Sequence, residues 1–265
     1  MRAVFAFVAL LLFATPAFAD RFALTYDGFG LGFVPVGGVT VDADIAEDSY
    51  DISATVQSRG ILNLFERTNI QASASGLIEN GAVRWQRYDL DHRYSRKHRT
   101  VSMQPGETGA ITSQIEPIYL TWGEPPATEE ERRASRDPLS NVVAMAIDVG
   151  RSRTCEGTHP TFDGRFHYLL QLGGGDIDEY EGGGYEGEVL KCSLSYIAVS
   201  GFNQRDSGRR RIPQGQVWFA LMPDTTFAPP VRISTPLSAG GATIRLASFR
   251  RARVDVQYST DASTP

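Results

Sequence analysis

Apolar and polar residues alternate with a period of two along nearly all of this chain, a rhythm that restricts it to strands with one buried face. Phe22, Leu24 and Tyr26 alternate, as do Val39, Val41, Ala43 and Ile45, and then Tyr50, Ile52, Ala54 and Val56. The turn-forming stretch Ala46–Ser49 joins the last two runs into a hairpin. Asn80-Gly81 marks a second hairpin and Asp163-Gly164 a third. Further runs appear at RTVSMQ, ITSQIEPIYL, LKCSLSYIAVSGF, QVWFALMP, VRISTPL and ATIRLASF. SRGILNLFERT breaks the rhythm and reads as a short helical turn or apolar loop.

One segment has helical spacing instead. In RDPLSNVVAMAIDVG, Leu139, Val142, Val143 and Ala146 fall at i, i+3, i+4 and i+7, and Ala144, Met145 and Ile147 cover much of the other side. Asp137 is placed to cap the helix, Pro138 suits its first position, and Ser140 lies in the first turn as a capping aid. Gly150 is placed to end it. The expected fold is mainly β: a strongly curved antiparallel sheet or partly closed barrel of about ten to twelve strands. One buried central helix, over about residues 137–149, fills its concavity. The stretch TWGEPPATEEERRASR reads as a mobile surface connection, and GGGDIDEYEGGGYEGE as a flexible acidic loop with carboxylates suited to calcium but in no EF-hand order.

The first residues combine Arg2, an apolar run from Ala3 to Ala14 and the small residues Ala17 and Ala19, the pattern of a cleavable secretory leader. The expected organisation is a signal peptide over 1–19, one β-rich domain over 20–256 and a disordered tail over 257–265. No later apolar run is long enough to span a bilayer. A periplasmic location is expected. In that oxidising compartment Cys155 and Cys192, the two cysteines of the chain, are expected to be bonded. Such a closure stabilises by about 4 kcal/mol in the chain-entropy view. The formal charge of −5 argues against a general nucleic-acid binder.

The order of these blocks resembles the bacterial envelope family known as domain of unknown function 3108. The features that carry the resemblance are YDGFGLGF, VTVDADI with SYDISATVQSRGILNLF, RWQRYDLDHRY, DPLSNVVAM, TFDGRFHYLL, KCSLSYIAVSGF and VWFALMPDTTFAPPVRIS. The resemblance implies an exported β-rich domain and brings no catalytic residues with it. A curved sheet around a helix also looks like the half-barrel of lipoprotein carriers, an analogy of fold alone.

Motifs for chemistry are sparse. The four histidines, His92, His98, His159 and His167, stand in no metal-ligand spacing. The first pair is expected on one strand, about 20 Å apart. There is no G-x-S-x-G elbow, and the glycines at 28, 30 and 32 lead into no nucleotide-binding helix. No cofactor, metal or catalytic set is expected. The most suggestive patch is RWQRYDLDHRYSRKHRT, where Arg84, Arg87, Arg93, Arg96 and Arg99 interleave with Trp85, Tyr88 and Tyr94. Guanidinium groups in an acidic protein suit phosphate or carboxylate, so a lipid head group or an anionic envelope polymer is the expected ligand. The bland reading is a solvated strand face whose arginine stems cover aromatic rings. Function is accordingly expected to be non-catalytic binding of an apolar or anionic envelope component. The alternatives are an envelope-polymer hydrolase with carboxylates assembled from different strands, and a scaffold or interaction protein of the envelope.

Overall fold

The computed structural model describes residues 18–60, 67–237 and 240–255. Most of the expected leader, the core of the apolar segment after Arg59 and the polar tail therefore lie outside the described residues. The first half of the chain supplies β1 (Phe18–Gly30), β2 (Val34–Ile45), β3 (Ser49–Ser58), β4 (Thr68–Glu79), β5 (Ala82–Tyr94), β6 (Lys97–Pro105) and β7 (Ile111–Glu116). After two helices come β8 (Gly157–Phe162), β9 (His167–Gly182), β10 (Tyr185–Ser200), β11 (Gly215–Ala220), β12 (Pro230–Thr235) and β13 (Ala242–Asp255). All thirteen belong to one antiparallel sheet, ordered β7-β6-β5-β4-β3-β2-β1-β13-β12-β11-β10-β9-β8. Each strand pairs with its sequence neighbours except where β1 meets β13, and the two edges are β7 and β8. The sheet is not closed.

The alternation seen in sequence sets the register. Ala54, Ala72, Leu90, Val101 and Ile115 stand opposite one another across five strands, with Val101 fully buried. The Asn80-Gly81 turn joins β4 to β5 with both residues at positive φ, the conformation those residue types favour in two-residue hairpins. The acidic glycine-rich stretch is not a flexible loop. Asp176, Asp178 and Glu179 pair through Lys191, Val189 and Glu188 in a long β9–β10 hairpin that turns at Gly183-Gly184. β9 extends well past β8, which reaches only Leu172, so its charged and glycine-rich part is an edge. Charge on such an edge discourages pairing with another chain.

The connection after β7 is likewise ordered. Within it, α1 (Glu129–Arg133) begins in a capping box: Thr128 Oγ1 accepts from the Glu131 amide, and the Glu131 carboxylate accepts from the Thr128 amide. The central helix follows as α2 (Pro138–Ser152). Asp137 Oδ1 accepts the amides of Leu139 and Ser140 at 3.0 and 2.9 Å. The helix runs beyond Gly150 and ends at Ser152, with Arg153 in the left-handed region. Gly150 serves another purpose: a Cβ there would lie 2.1 Å from the Thr226 carbonyl oxygen. It lets the β11–β12 connection lie against the helix, where Ala228 donates to the Ala146 carbonyl.

The sheet wraps this helix. Tyr50 on β3 bonds Ser140 at 2.6 Å, while Asn141 Nδ2 donates to Pro160 O and Thr161 Oγ1 on β8. Strands distant in the sheet order thus meet the same helical turn. Val143, Ala144, Ala146 and Ile147 join the larger cluster, to which β1 to β6, β8 and β10 to β13 all contribute, and Met145 and Val149 join a second one. That second cluster holds the Cys155–Cys192 disulfide, whose Cα atoms are 5.4 Å apart. On β11, Val217 and Phe219 face the second cluster and Trp218 and Ala220 the first, so both faces of that strand are buried.

Within the helix Val143 is fully buried, whereas Val142 only packs against the margin of the second cluster. Val143→Asp is expected to place an unpaired carboxylate in the core, at a cost of several kcal/mol, enough to unfold a domain of ordinary stability. Val142→Asp should leave a folded protein with a lowered melting temperature. Thermal melts of the two decide the matter: equal melts would mean that the helix does not fill the sheet.

Candidate binding surfaces

Register separates the residues of the basic strand. Trp85 and Tyr88 point inward and are buried, with Trp85 Nε1 donating to the Ser135 carbonyl at 3.1 Å. Arg84, Arg87 and Arg93 point outward and are engaged locally, whereas Arg99 stands on the same face as Val101 and donates to the Pro117 carbonyl at 3.2 Å. Arg84 pairs with Glu79 at 2.6 Å, Arg87 holds both carboxylate oxygens of Asp89, and Arg93 holds both of Asp91 at 3.0 and 3.2 Å. Arg93 draws the Asp91 carboxyl below its usual range, joined by His98, whose Nε2 lies 3.0 Å from Asp91. Burial pushes Asp89 up, but hydrogen bonds from Arg87 and Ser102 outweigh it and hold the group low. His92 and His98 are not on one strand: they lie on β5 and β6, with His92 opposite Arg99. Tyr94 stacks against His92 at 4.7 Å and under Lys97 at 5.4 Å. Arg96 stands exposed at the β5–β6 turn, with no ion-pair partner among the described residues. The structure therefore does not gather the eight residues into one surface. Exposed pairs of this kind contribute little to stability, and they leave little uncompensated charge along the strand.

A groove of about 780 Å³ crosses β3 to β7 and is lined by Ser73, Asp89, Asp91, Ser102, Gln114 and Glu116 among others. Asp89 and Asp91 are both held ionised, so neither is suited to protonate a leaving group. Asp44 and Asp51 oppose each other on β2 and β3; burial and then Asp44 raise Asp51, while Arg21 binds Asp44 at 2.6 and 2.9 Å. The second carboxylate is thus committed to an arginine on a strand face.

The seam between β7 and β8 is more distinctive, and sequence reasoning missed it because its parts are far apart in the chain. The β8–β9 turn closes over the inner face of β6 and β7. Gly164, at φ +99°, lies so close that a Cβ would stand 2.8 Å from Val101 Cγ1. Asp163 Oδ1 fixes the turn by accepting the amides of Arg165 and Phe166 at 3.0 and 2.7 Å. Beside it is a pocket of about 390 Å³ lined by Ile111, Ser113, Trp122, Phe162, Arg132 and Arg165, among others. Arg165 pairs with Asp206 at 2.9 Å, and its guanidinium lies over the Phe166 ring at 4.6 Å. The Nε atoms of both Arg132 and Arg165 are buried without a hydrogen-bond partner among the described residues. Buried donors are seldom left so. Glu131, the nearest acid in sequence to Arg132, is turned away onto Ser200 and the Thr128 amide and lies 3.6 Å from His167. Burial raises Glu131, yet those hydrogen bonds prevail and hold it low. The pocket thus combines apolar walls with two cationic donors, a setting suited to an anionic group on an apolar body.

No group of three or more potential metal-ligating side chains gathers among the described residues. On β9 the carboxylates of Asp176, Asp178, Glu179 and Glu181 lie along an extended strand rather than around one point. Likewise no described helix is long and apolar enough to cross a membrane.

Fold and seam together define a β-rich, barrel-like domain whose single sheet stays open along one line. Among solved structures, the chain is similar to a beta-barrel-like protein of domain of unknown function DUF1849 from Brucella abortus. The TM-score is 0.53 at 9% identity, over 88% of this chain and 98% of that one. At that identity the likeness shows the fold alone. No family model matches the chain, and no curated protein does. The resemblance to domain 3108 accordingly reduces to its coarser content, a β-rich domain of unknown function, since the solved neighbour belongs to a different domain family.

Two buried titratable groups flank α2. Burial, reinforced by the nearby Arg136 cation, lowers His159 from 6.5 to about 4. Burial raises Asp137 from 3.8 to about 6 against the hydrogen bonds at its cap. The unfolded chain protonates His159 first, so the contribution of His159 is complete above pH 6.5 and is lost as pH falls toward 4. Asp137 acts in the opposite sense: its contribution is present below pH 3.8 and lost as pH rises through 6. The two oppose each other across the acid range. His159→Leu removes one side of this balance, so the melting temperature of the variant should rise relative to the parent as pH falls from 7 to 4.5. A difference that stays constant with pH would show that His159 protonates freely in the fold.

Proposed function

We propose that this protein is an exported, non-catalytic binding protein of the cell envelope whose ligand is an anionic envelope component, a lipid or a polymer fragment. The observation that carries the reading is the seam pocket, which Arg132 and Arg165 line beside Trp122 and Phe162, the Nε of each being buried without a partner among the described residues. An anionic group in the pocket would pair with these two guanidinium groups, and charge-assisted hydrogen bonds to guanidinium are among the stronger polar contacts. A volume of about 390 Å³ suits a head group or short segment rather than whole acyl chains. The Cys155–Cys192 disulfide fits an oxidising compartment, and the leader pattern of the first nineteen residues fits export to the periplasm. The interior of the sheet is taken up by α2, which favours a ligand at the seam over one in the concavity.

Titration calorimetry with a short-chain phosphatidic acid, kept below its micellar concentration, tests this. Saturable binding is expected, weakened at least tenfold by Arg132→Ala and less by Arg132→Lys. Arg96→Ala, at the exposed turn, should leave it unchanged. Binding that survives Arg132→Ala intact, or no saturable binding by the parent protein, would remove the pocket from consideration.

A further inference from the structure

We infer that the rim of the sheet carrying the β1–β2, β5–β6, β7–α1 and β10–β11 connections docks on an anionic phospholipid bilayer. The inference rests on the envelope reading above but uses other residues.

The β7–α1 connection is held from one side and bare on the other. Tyr119 lies under the Arg99 guanidinium at 3.9 Å, and Thr121 Oγ1 accepts from Asn203 Nδ2 at 3.2 Å. Glu124 then donates its amide to the Phe202 carbonyl. The intervening residues are presented outward: Ile118 and Leu120 are exposed, Leu120 completely, and Trp122 is partly so. An ordered loop that shows three large apolar side chains to solvent has not folded them into any core. On the same rim the β1–β2 turn exposes Leu31 and Phe33, with Leu237 exposed near the segment that bonds it through Gly32 and Gly241. Isolated exposed apolar residues are ordinary, but six at one end of a sheet are not scattered.

Charge says what covers them. The β10–β11 connection, joined to this loop through Asn203, carries Arg205, Arg209, Arg210 and Arg211, all exposed. Of the acids on these connections, Asp206 is already committed to Arg165, and Glu124 is the exposed one against these cations. Arg96 and Lys97 add exposed cations at the β5–β6 turn. The connections at the other end run the opposite way, with Glu47 and Asp48 between β2 and β3 and Glu107 between β6 and β7, while Asp224 between β11 and β12 is paired with Arg251 and Arg253. In a chain of net charge −5, a cationic rim studded with isoleucine, leucine, phenylalanine and tryptophan complements an anionic bilayer interface. There, apolar side chains enter the outer about 5–10 Å and arginines meet the phosphates. An acidic protein partner would satisfy the cations but would not require fully exposed apolar tips on several separate turns.

Co-sedimentation of the exported chain with vesicles of phosphatidylcholine alone and of phosphatidylcholine with a quarter phosphatidylglycerol tests the inference. Partition into the anionic vesicles is expected to exceed that into the neutral ones at least tenfold, and to weaken on raising the salt from 0.1 to 0.5 M. Leu120→Asp should cut partition about tenfold, and Ile118→Asp should act in the same direction. The complete exposure of Leu120 means that its variant should fold, which circular dichroism checks. Replacing Arg209, Arg210 and Arg211 together by Ala should remove the preference for anionic vesicles. Equal partition into both vesicle types, no partition into either, or an unaffected Leu120→Asp protein would overturn the proposal. Leu120→Asp should still bind the soluble short-chain lipid, so loss of vesicle docking and loss of pocket binding report separately on the two readings.

Discussion

A curved sheet whose edge strands do not pair must be joined by something else, and here the segment Ser135–Asn141 does the joining. The Arg136 amide donates to Pro160 O, and its carbonyl accepts from Phe162 N, so one residue adds itself in parallel to β8. The Arg136 side chain reaches the other way, donating to the Val83 carbonyl on β5, while the Ser135 carbonyl accepts from Trp85. Backbone groups on buried strands need partners, and this crossing supplies them where the ladder stops. The position of α2 follows, because the helix starts at the next residue with its cap already buried. The two apolar clusters then form on either side of it.

The same crossing explains why the interior does not accommodate a large ligand. A half-open sheet around an empty concavity would resemble a carrier, but α2 places Val143, Ala146 and Ile147 against one cluster and Met145 and Val149 against the other. Spaces for recognition lie at the margins: the seam, the rim, the shallow groove across β3 to β7, and a cavity of about 920 Å³ where Arg151 and Arg153 meet the β11–β12 connection. Of these, the seam alone combines apolar walls with buried donors that have no partner among the described residues. That contrast, rather than the likeness of fold to a protein of unknown function, is what directs attention there.

Strands and the central helix were legible because each rests on a local pattern. Period-two alternation placed β2 through β5 and their turns, and Asp-Pro before an apolar run placed the start of α2. Four features were not legible, each for a reason of context. The β9–β10 hairpin reads as a loop because glycine and aspartate argue against a strand, yet β9 pairs with β10, whose Leu190 and Cys192 alternate into the second cluster. Trp85 and Tyr88 group with the arginines around them in sequence, which hides that a register shift between them turns both inward. His92 and His98 read as one strand because Ser95, at positive φ, is a weak turn signal. Arg132 and Arg165, thirty-three positions apart, carry no shared motif; only the closing of the seam brings them to one pocket.

The strand order has a topological consequence. Reading from β8 through β13 and then from β1 through β7 follows the sheet from one edge to the other without a jump. The architecture is therefore a simple up-and-down meander in circularly permuted form, and β1 against β13 is the one pairing that must join distant parts of the chain. Every other ladder closes over a short turn or a local connection. Contacts of long sequence separation delay folding because their loop entropy is lost before they form. In this sheet that delay is concentrated in a single junction, so the last strand to be made is also the one that makes the two halves continuous.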